Sequence, residues 1–247
     1  MTLINPYIFG GSSAFSPNDI AGLRFWYDAE SLGLSNGAGV ATWTDQSVNG
    51  LDLTQATGAN QPTYQTNVLN GLAVVDFDGT NDYVGRSTTS ISPTTGWWTA
   101  FAVVQVDTVT GVHAVIGNDG ATGSTDRMAQ VLRFNGTAVE SIAFNTTPTA
   151  FTDGAGVTAA TGTWYILTAT RTADQVVAFV DGSSNGATGT SGTTAKGSNA
   201  PLRLGADIAT PTAFLDGRIA EAIGYSAVLT ATERGDVESY LADKYGL

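Results

Sequence analysis

Cysteine is absent from this sequence, histidine occurs once, and no long hydrophobic run is present. Without cysteine the chain forms no disulfide bond, no thiolate nucleophile and no cysteine-ligated metal site, so its core has to hold without covalent cross-links. No apolar stretch approaches the ~18 residues that a membrane-spanning helix needs. These absences exclude disulfide-stapled scaffolds, thiol enzymes and helical membrane proteins.

Positive charge is scarce as well, because 10 lysines and arginines stand against 22 acidic residues and leave a net charge of −12. Nucleic acids and anionic membranes are bound through clustered Lys and Arg, so the composition argues against both as partners and leaves neutral or cationic partners open. No basic segment precedes an apolar one at Met1. We therefore expect no cleaved signal peptide and synthesis in the cytoplasm.

Glycine and apolar residues are plentiful. The chain contains 30 glycines and 42% hydrophobic residues, which is typical of many short strands joined by turns. Residues 16–247 fit one large all-β domain with a single hydrophobic core. Residues 1–15 are apolar, are broken by Asn5-Pro6 and end in small residues, so we expect an N-terminal arm that is either a strap across the domain or a docking segment.

The stretch from Leu72 to Val84 organises the prediction. Residues 72–77 combine β-branched and aromatic side chains, which favour a strand. The turn that follows carries Asp78-Gly79 and then Asn81-Asp82, residue types that bond their own backbone or tolerate positive φ. We therefore predict an antiparallel hairpin.

Residues 77–84, with the sequence FDGTNDYV, also resemble the signature strand pair of the laminin-G-like branch of the concanavalin A-like lectin/glucanase superfamily. Residues 23–29, 40–50, 164–170, 176–182 and 214–225 are similar to other strands of those domains. The resemblance implies an all-β fold, a two-sheet antiparallel jelly-roll sandwich, while its function stays open because lectins, adhesion modules, glucanases and structural domains share it. The predicted core includes Val75, Phe77, Trp164, Phe179 and Ile219.

One helix is predicted, at the C-terminus. Thr230 and Glu233 have the spacing of a capping box, and Gly246 has the position of a C-cap. Apolar side chains recur on one face at helical spacing, so the helix is expected to pack against the outside of the sandwich.

The carboxylates do not predict catalysis. Glycoside hydrolysis needs two carboxyl groups flanking the scissile bond, and retaining glucanases of this superfamily carry them in an E-x-D-x-E pattern. This sequence has no such pattern. Glu221 alone among the glutamates lies on an apolar strand near other acids, so we expect a protein that is not an enzyme and keep a polysaccharide-degrading glucanase as an alternative.

Adjacent tryptophans offer the best aromatic candidate for ligand contact. Alternation in a strand turns one of Trp97 and Trp98 into the core and the other outward, where its ring could stack on a sugar. The small polar loop that begins near Asn118 adds Asp119 and Asp126. We predict these five residues as candidates for glycan binding.

A calcium site is possible at the predicted turn. Asp76, Asp78, Asn81 and Asp82 supply carboxylate and amide oxygens of the kind that calcium binds, although their spacing is not that of a helix-loop-helix calcium loop. Turn chemistry accounts for the same residues. We therefore expect either no cofactor or calcium.

The start of the chain suggests a biological setting. Residues 4–10, with the sequence INPYIFG, resemble the start of some bacteriophage virion proteins that carry lectin-like domains. The resemblance implies a virion surface protein on a tail fibre, tail tip or head, bound to other virion proteins through residues 1–15, homo-oligomeric, and binding host-surface glycans. A purely structural decorating subunit without a glycan ligand is the alternative.

Overall fold

The computed structural model describes residues 15–87, 97–118, 130–140, 158–172, 176–184, 201–207 and 213–247. They form 15 strands, three short 3₁₀ turns and one α-helix. The strands are β1 (Leu23–Asp28), β2 (Thr42–Trp43), β3 (Leu53–Thr54), β4 (Thr63–Leu69), β5 (Leu72–Asp78), β6 (Val84–Arg86), β7 (Trp98–Val106), β8 (Val112–Asn118), β9 (Gln130–Asn135), β10 (Ala138–Glu140), β11 (Trp164–Arg171), β12 (Val176–Val180), β13 (Ser183–Ser184), β14 (Leu202–Leu204) and β15 (Asp216–Tyr225), and the helix is α1 (Ala231–Tyr245).

Two antiparallel sheets face each other. The eight-stranded sheet, sheet A, has the order β13-β12-β11-β7-β15-β5-β4, with β1 paired to β15. The seven-stranded sheet, sheet B, has the order β10-β9-β8-β14-β6-β3-β2. This confirms the predicted two-sheet sandwich with a C-terminal helix.

The main core lies between the two sheets. Its largest members are aromatic side chains from both sheets, each no more than 2% exposed. They include Phe25, Trp43, Phe77, Trp98 and Phe134. Burial of rings of this size supplies the main hydrophobic stabilisation of a fold that has no disulfide.

A second apolar cluster lies on the outer face of sheet A, so the prediction of a single core was wrong. Phe101 and Val103 of β7 point away from the main core and are buried together with Val237 and Leu241 of α1. Strand β7 is therefore apolar on both faces, as expected of a strand covered on both sides. The helix seals this face of the sheet.

Helix α1 has the predicted caps. Thr230 accepts a hydrogen bond from the backbone of Glu233 and the Glu233 side chain accepts one from the backbone of Thr230, while Gly246 adopts the left-handed conformation that ends the helix. No helix of the described residues is long and apolar enough to span a membrane.

Two of the five predicted core residues lie elsewhere. Val75, Phe77 and Ile219 are buried in the main core, as predicted. Trp164 instead packs at the edge of the second cluster, and Phe179 is half-buried. The reason is alternation, because the neighbouring strand residues occupy the inward positions.

The predicted hairpin at residues 72–84 is also corrected. Strand β5 lies in sheet A and β6 lies in sheet B, so the turn carries the chain from one sheet to the other. Gly79 has a φ of +71°, and its N–H donates to the Leu215 carbonyl. A Cβ at Gly79 would lie 2.7 Å from the Cβ of Asp216, so this close approach needs glycine.

Candidate functional site

The predicted glycan-binding residues occupy different environments. Trp97 is 45% exposed and Trp98 is 1% exposed, which confirms that one ring points outward and the other inward. Asn118 is fully buried, and its side-chain amide donates to the Pro201 carbonyl at 3.0 Å. Asp119 and Asp126 lie outside the described residues. Of the three members that the structure describes, Trp97 is the one whose side chain is accessible.

The predicted calcium residues are engaged in the turn. Asp78 Oδ1 accepts from the backbone N–H groups of Thr80 at 2.8 Å and Asn81 at 3.1 Å. Asp82 Oδ2 accepts from the Asp78 N–H at 3.2 Å, and burial followed by the Asp78 charge raises the pKa of Asp82 to about 6. Asp76 forms a 3.0 Å ion pair with Arg218.

Among the described residues, no three carboxylate or imidazole groups are arranged to hold a metal ion. Calcium at Asp76, Asp78, Asn81 and Asp82 stays a prediction. Thermal unfolding in calcium and in chelator tests it, because an ion that binds only the native state raises the melting temperature.

Glu221 lies beneath helix α1 with no exposed surface. Its Oε1 accepts from Trp26 Nε1 at 2.6 Å and from the Tyr240 hydroxyl at 3.0 Å. Its Oε2 accepts from Lys244 Nζ at 2.6 Å and from the Tyr245 hydroxyl at 2.8 Å. Both oxygens of this carboxylate therefore hold the helix to sheet A.

Lys244 completes this network through a second carboxylate. Its Nζ lies 2.7 Å from Asp28 Oδ2 as well as 2.6 Å from Glu221 Oε2. Burial lowers the pKa of Lys244, but the two carboxylates outweigh burial, so the net shift is upward. The ammonium therefore stays charged between its two carboxylates.

A groove of about 560 Å³ lies beside α1, between the helix and the turn after β12. Its lining includes Trp164 and Ile166, together with the carboxylates of Asp181 and Glu238. Asp181 Oδ1 accepts from the Ile166 N–H at 2.9 Å, and Glu238 Oε1 accepts from the Thr168 hydroxyl at 2.9 Å. These carboxylates fasten the turn and the helix to β11.

A second depression, of about 260 Å³, opens on the outer face of sheet B. We call it the Tyr83–Arg203 depression. It is defined by Thr54, Gln55, Tyr83, Gly85, Arg86 and Arg203. Strands β3, β6 and β14 lie side by side there, with Gly85 paired to Thr54 on one side and to Arg203 on the other.

Strand alternation builds the floor of the depression. Leu202 and Leu204 point into the main core, which turns Arg203 between them to the outer face. Arg203 extends across Gly85, since a Cβ at Gly85 would lie 2.8 Å from Arg203 Cγ. The Arg203 side chain can therefore cross this position only because Gly85 has no side chain.

The guanidinium of Arg203 is held in a defined orientation. Its central carbon lies 5.3 Å from the centroid of the Tyr83 ring, within the range of a cation–π contact. Its Nη1 donates to the Asp207 carbonyl at 3.2 Å. Burial lowers the pKa of Arg203, with the tyrosine and Asp207 opposing the shift, and a guanidinium stays charged even so.

The rim of the depression is polar and positive. Arg86, at the end of β6, and Thr54, in β3, are exposed residues. Gln55 is buried, donates to the Tyr83 carbonyl at 3.1 Å and accepts from the Thr57 N–H at 3.1 Å, which fixes the rim to the loop after β3. The arrangement can bind planar, hydrogen-bonding ligands.

Sequence reasoning did not find this site. Arg203 lies between two leucines in β14, a pattern that predicts an outward side chain, and Tyr83 belongs to the stretch that carried the family resemblance. The two residues come together because β14 pairs with β6, and no local sequence pattern predicts that pairing.

Comparison with known families and structures places this fold. The Laminin_G_3 family, described as "Concanavalin A-like lectin/glucanases superfamily", matches residues 78–233. The chain belongs to this superfamily. The match begins in the turn between β5 and β6 and runs into α1, so it includes most of the Tyr83–Arg203 depression of this concanavalin A-like domain.

Three solved structures illustrate the range of proteins that share this fold. Domain 4 of AbnA, a GH43 extracellular arabinanase from Geobacillus stearothermophilus, in complex with arabinotriose, has 15% identity and a TM-score of 0.61, and the match covers 87% of this chain and 98% of that domain. Trypanosoma rangeli sialidase in complex with the inhibitor DANA has 15% identity and a TM-score of 0.60, with 89% of this chain and 33% of the sialidase covered.

The binding domain of botulinum neurotoxin serotype D has 9% identity and a TM-score of 0.61, with 89% of this chain and 51% of that chain covered. The chain spans about one third of the sialidase it matches. No curated protein matches it in sequence. Concanavalin A-like sandwiches thus occur both within enzymes and in binding domains, and likeness at this level of identity shows the fold.

Proposed function

We propose that the chain is a non-enzymatic carbohydrate-binding module that recognises glycans through the Tyr83–Arg203 depression. The observation that carries the proposal is the position of the Arg203 side chain, which crosses Gly85 and places its guanidinium over the Tyr83 ring, in an open depression on sheet B. Sugar sites combine a few oriented polar groups with an apolar ring, and this depression offers both. Domain 4 of AbnA, of the same fold, is in complex with arabinotriose.

The carboxylates support binding rather than hydrolysis. A glucanase needs one carboxyl group that protonates the leaving oxygen and a second that attacks or activates water. Glu221, the candidate from the sequence, has both oxygens in hydrogen bonds beneath α1 and no exposed surface. No release of reducing sugar from a β-glucan panel is therefore expected, and release that Glu221→Gln abolishes would favour the glucanase alternative.

The proposal extends to a bacteriophage virion, on a tail fibre, tail tip or head surface. Its support is the resemblance of residues 4–10 to the start of some virion proteins, and residues 1–14 lie outside the described residues. In this account residues 1–15 dock onto other virion proteins, the chain forms a homo-oligomer, and the depressions face host-surface glycans. Deletion of residues 1–15 is expected to leave the sandwich folded and to abolish assembly.

Multivalent display fits a small site. A depression of about 260 Å³ is slightly below the ~300–1,000 Å³ of typical small-molecule pockets, so a single copy is expected to bind weakly. Several copies on one particle raise the overall affinity without a new contact, because later binding events become intramolecular.

A glycan array probed with protein multimerised on beads tests the proposal. Binding to at least one class of bacterial surface polysaccharide, reduced in Arg203→Gln and retained in Arg234→Gln, is the expected result. Arg234 is a matched control because it also lies over an aromatic ring, Phe179, but on the opposite sheet. An array that stays empty at high avidity contradicts glycan binding and favours the structural, decorating role.

A further inference from the structure

We propose that the groove beside α1 is a docking site for a protein partner, and that it receives a lysine side chain of that partner between the carboxylates of Asp181 and Glu238. The groove lies on the outer face of sheet A, whereas the proposed glycan site lies on sheet B. The inference therefore goes beyond the proposed function and can fail without it.

The first observation is the fixed position of Asp181, which follows β12 and lines the groove. Its Oδ1 accepts from the Ile166 N–H at 2.9 Å, and its own N–H donates to the Ile166 carbonyl at 2.9 Å. These two bonds hold the carboxylate at the groove in one orientation. Asp181 is exposed, and none of the described cations lies within ion-pair distance of it.

The second observation is Glu238 of α1, which is only 9% exposed. Its Oε1 accepts from the Thr168 hydroxyl at 2.9 Å, and Arg234 Nε lies 3.9 Å from the same oxygen. Its Oε2 faces the turn after β12, since a Cβ at Gly182 would lie 3.5 Å from it. Among the described residues no hydrogen bond reaches Oε2, so this oxygen offers an acceptor to a ligand in the groove.

The charge of Glu238 is incompletely compensated. Burial raises its pKa, and the hydrogen bond from Thr168 and the charge of Arg234 oppose this shift only in part. The carboxylate is thus desolvated more than its neighbours compensate. A cation beside Oε2 would supply this compensation through a charge-assisted hydrogen bond, which is about twice as strong as a neutral one.

Two carboxylates on the same sheet already hold an ammonium in this way. Lys244 Nζ lies 2.7 Å from Asp28 Oδ2, 2.6 Å from Glu221 Oε2 and 5.1 Å from the centroid of the Tyr245 ring. The groove offers two carboxylates together with Trp164, and no lysine is among the residues that line it. A lysine from a partner fits this set, because its compact ammonium carries three donors.

The apolar part of the lining favours a protein segment over a free amine. Trp164, Ile166 and Ala242 line the groove, and its volume of about 560 Å³ is more than an ammonium group fills. A lysine on a peptide brings an aliphatic stem and a neighbouring apolar side chain to these surfaces. The net charge of −12 and the exposed Asp236 on the same helix add a longer-range attraction for a cationic partner.

The test uses the full chain, labelled with ¹⁵N, and capped tripeptides that have leucine at both ends. Their central residue is lysine, arginine, or norleucine, which lacks the ammonium. Cadaverine serves as the free amine. Amide shifts at Ile166, Gly182 and Gly235, which line the groove, are followed up to millimolar ligand concentrations.

The variants remove charge and keep the hydrogen bonds that the fold uses. The side-chain amide oxygen in Asp181→Asn can still accept from the Ile166 N–H, and that in Glu238→Gln can still accept from the Thr168 hydroxyl. The control Asp236→Asn makes the same charge change outside the groove lining. Urea unfolding shows which variants are folded, and either test variant suffices for the comparison.

We expect the lysine peptide to bind about tenfold or more tightly than the norleucine peptide, as for a charge-assisted hydrogen bond. Asp181→Asn and Glu238→Gln should each remove most of this difference. Asp236→Asn should retain it. Glycan binding should stay at the wild-type level in all three variants, because the proposed glycan site lies on the other sheet.

Each other outcome contradicts a defined part of the inference. Equal binding of the lysine and norleucine peptides overturns the role of the two carboxylates, and tighter binding of the arginine peptide overturns the choice of lysine. Binding of cadaverine as tight as that of the lysine peptide overturns the protein partner and leaves a site for small cations. Absence of shifts at the three groove amides overturns the inference as a whole and leaves the proposed function standing.

Discussion

The two outer faces of the sandwich use their polar groups differently. On sheet A the helix α1 covers Phe101 and Val103, and the buried Glu221–Lys244 pair fastens it there. On sheet B the depression leaves Arg86 exposed and Arg203 half-buried. The comparison indicates that polar groups on the face of sheet A stabilise the fold, and the proposed glycan site lies on the other face.

Two arginine–aromatic contacts sharpen this contrast. Arg234 lies 3.6 Å from the ring centroid of Phe179 and its Nε lies 3.9 Å from Glu238 Oε1, so the guanidinium packs beside a carboxylate of its own helix. Arg203 lies over Tyr83 in a depression that opens to solvent. The same kind of contact therefore serves packing on sheet A and is suited to ligand binding on sheet B.

The largest loss of stability is expected on the face of sheet A that α1 covers. Glu221→Ala leaves the Trp26 indole N–H and two tyrosine hydroxyls without their buried acceptor and removes one of the two carboxylates of Lys244. Breaking a buried ion pair typically lowers stability by about 3–5 kcal/mol. Urea unfolding measures this loss.

The exposed helix residue Asp236 provides a control for that experiment, because its replacement by alanine should change stability by less than about 0.5 kcal/mol. A Glu221→Ala protein as stable as this control would show that the network does not hold α1 to sheet A.

On sheet B, Gly85→Ala is expected to disturb the Tyr83–Arg203 depression while leaving the side chains of Tyr83 and Arg203 in place in the sequence. The new Cβ would lie 2.8 Å from Arg203 Cγ and 3.1 Å from the Leu202 carbonyl oxygen. Overpacking of this kind lowers stability by about 1–3 kcal/mol and should displace Arg203 from Tyr83. Unfolding and saccharide titrations both report it.

Gly58→Ala is the matched glycine control, since a Cβ there meets nothing within 4 Å. If the two alanine variants unfold at the same urea concentration and bind alike, the close crossing of Arg203 over Gly85 is not needed.

The stability that the turn between β5 and β6 contributes should depend on pH. The pKa of Asp82 is raised to about 6 by burial and by Asp78, so the native state binds this proton more tightly than the unfolded chain does. Stability from this group is complete below about pH 4 and is lost as the pH rises through 6. Because water screens the charges, we expect Asp82→Asn to be only about 1 kcal/mol more stable at pH 8 and equal to the wild type at pH 4.

Asp78→Asn serves as the contrasting variant, because the Asp78 carboxylate accepts backbone N–H groups and its loss should lower stability at pH 8. Urea unfolding from pH 4 to pH 8 gives both profiles. An advantage of Asp82→Asn that stays constant over this range would rule out titration of Asp82 as its cause.

The smallest change in stability is expected within α1. Gly235 lies in the helix, and a Cβ there meets nothing within 4 Å. Replacement of a helical glycine by alanine stabilises by roughly 0.5–1 kcal/mol, so Gly235→Ala should raise the melting temperature. Saccharide binding should not change, and a loss of binding would move the site to the groove beside α1.

Local patterns were sufficient to predict the sandwich and its helix. The capping box at Thr230 and Glu233 fixed where α1 begins, and strand alternation correctly assigned one of Trp97 and Trp98 to the core. Such features depend on neighbours in sequence, and they were confirmed.

Features set by distant residues were missed. The turn after β5 carries residues typical of a hairpin, but the contact between Gly79 and Asp216 belongs to its passage from one sheet to the other. In the same way, Tyr83 and Arg203 meet only because β6 pairs with β14. In both pairs, the sequence around one residue does not predict that the other residue will lie beside it.

Mapping the bound saccharide by amide NMR tests the difference between the two faces most directly. The ¹⁵N-labelled protein is titrated with the glycan that binds best on the array, and shifts are compared at Thr54, Gly85 and Arg203 on sheet B and at Ile166 and Gly235 beside α1. The account predicts that the shifts concentrate at the three positions on sheet B. Shifts concentrated at Ile166 and Gly235 would contradict it.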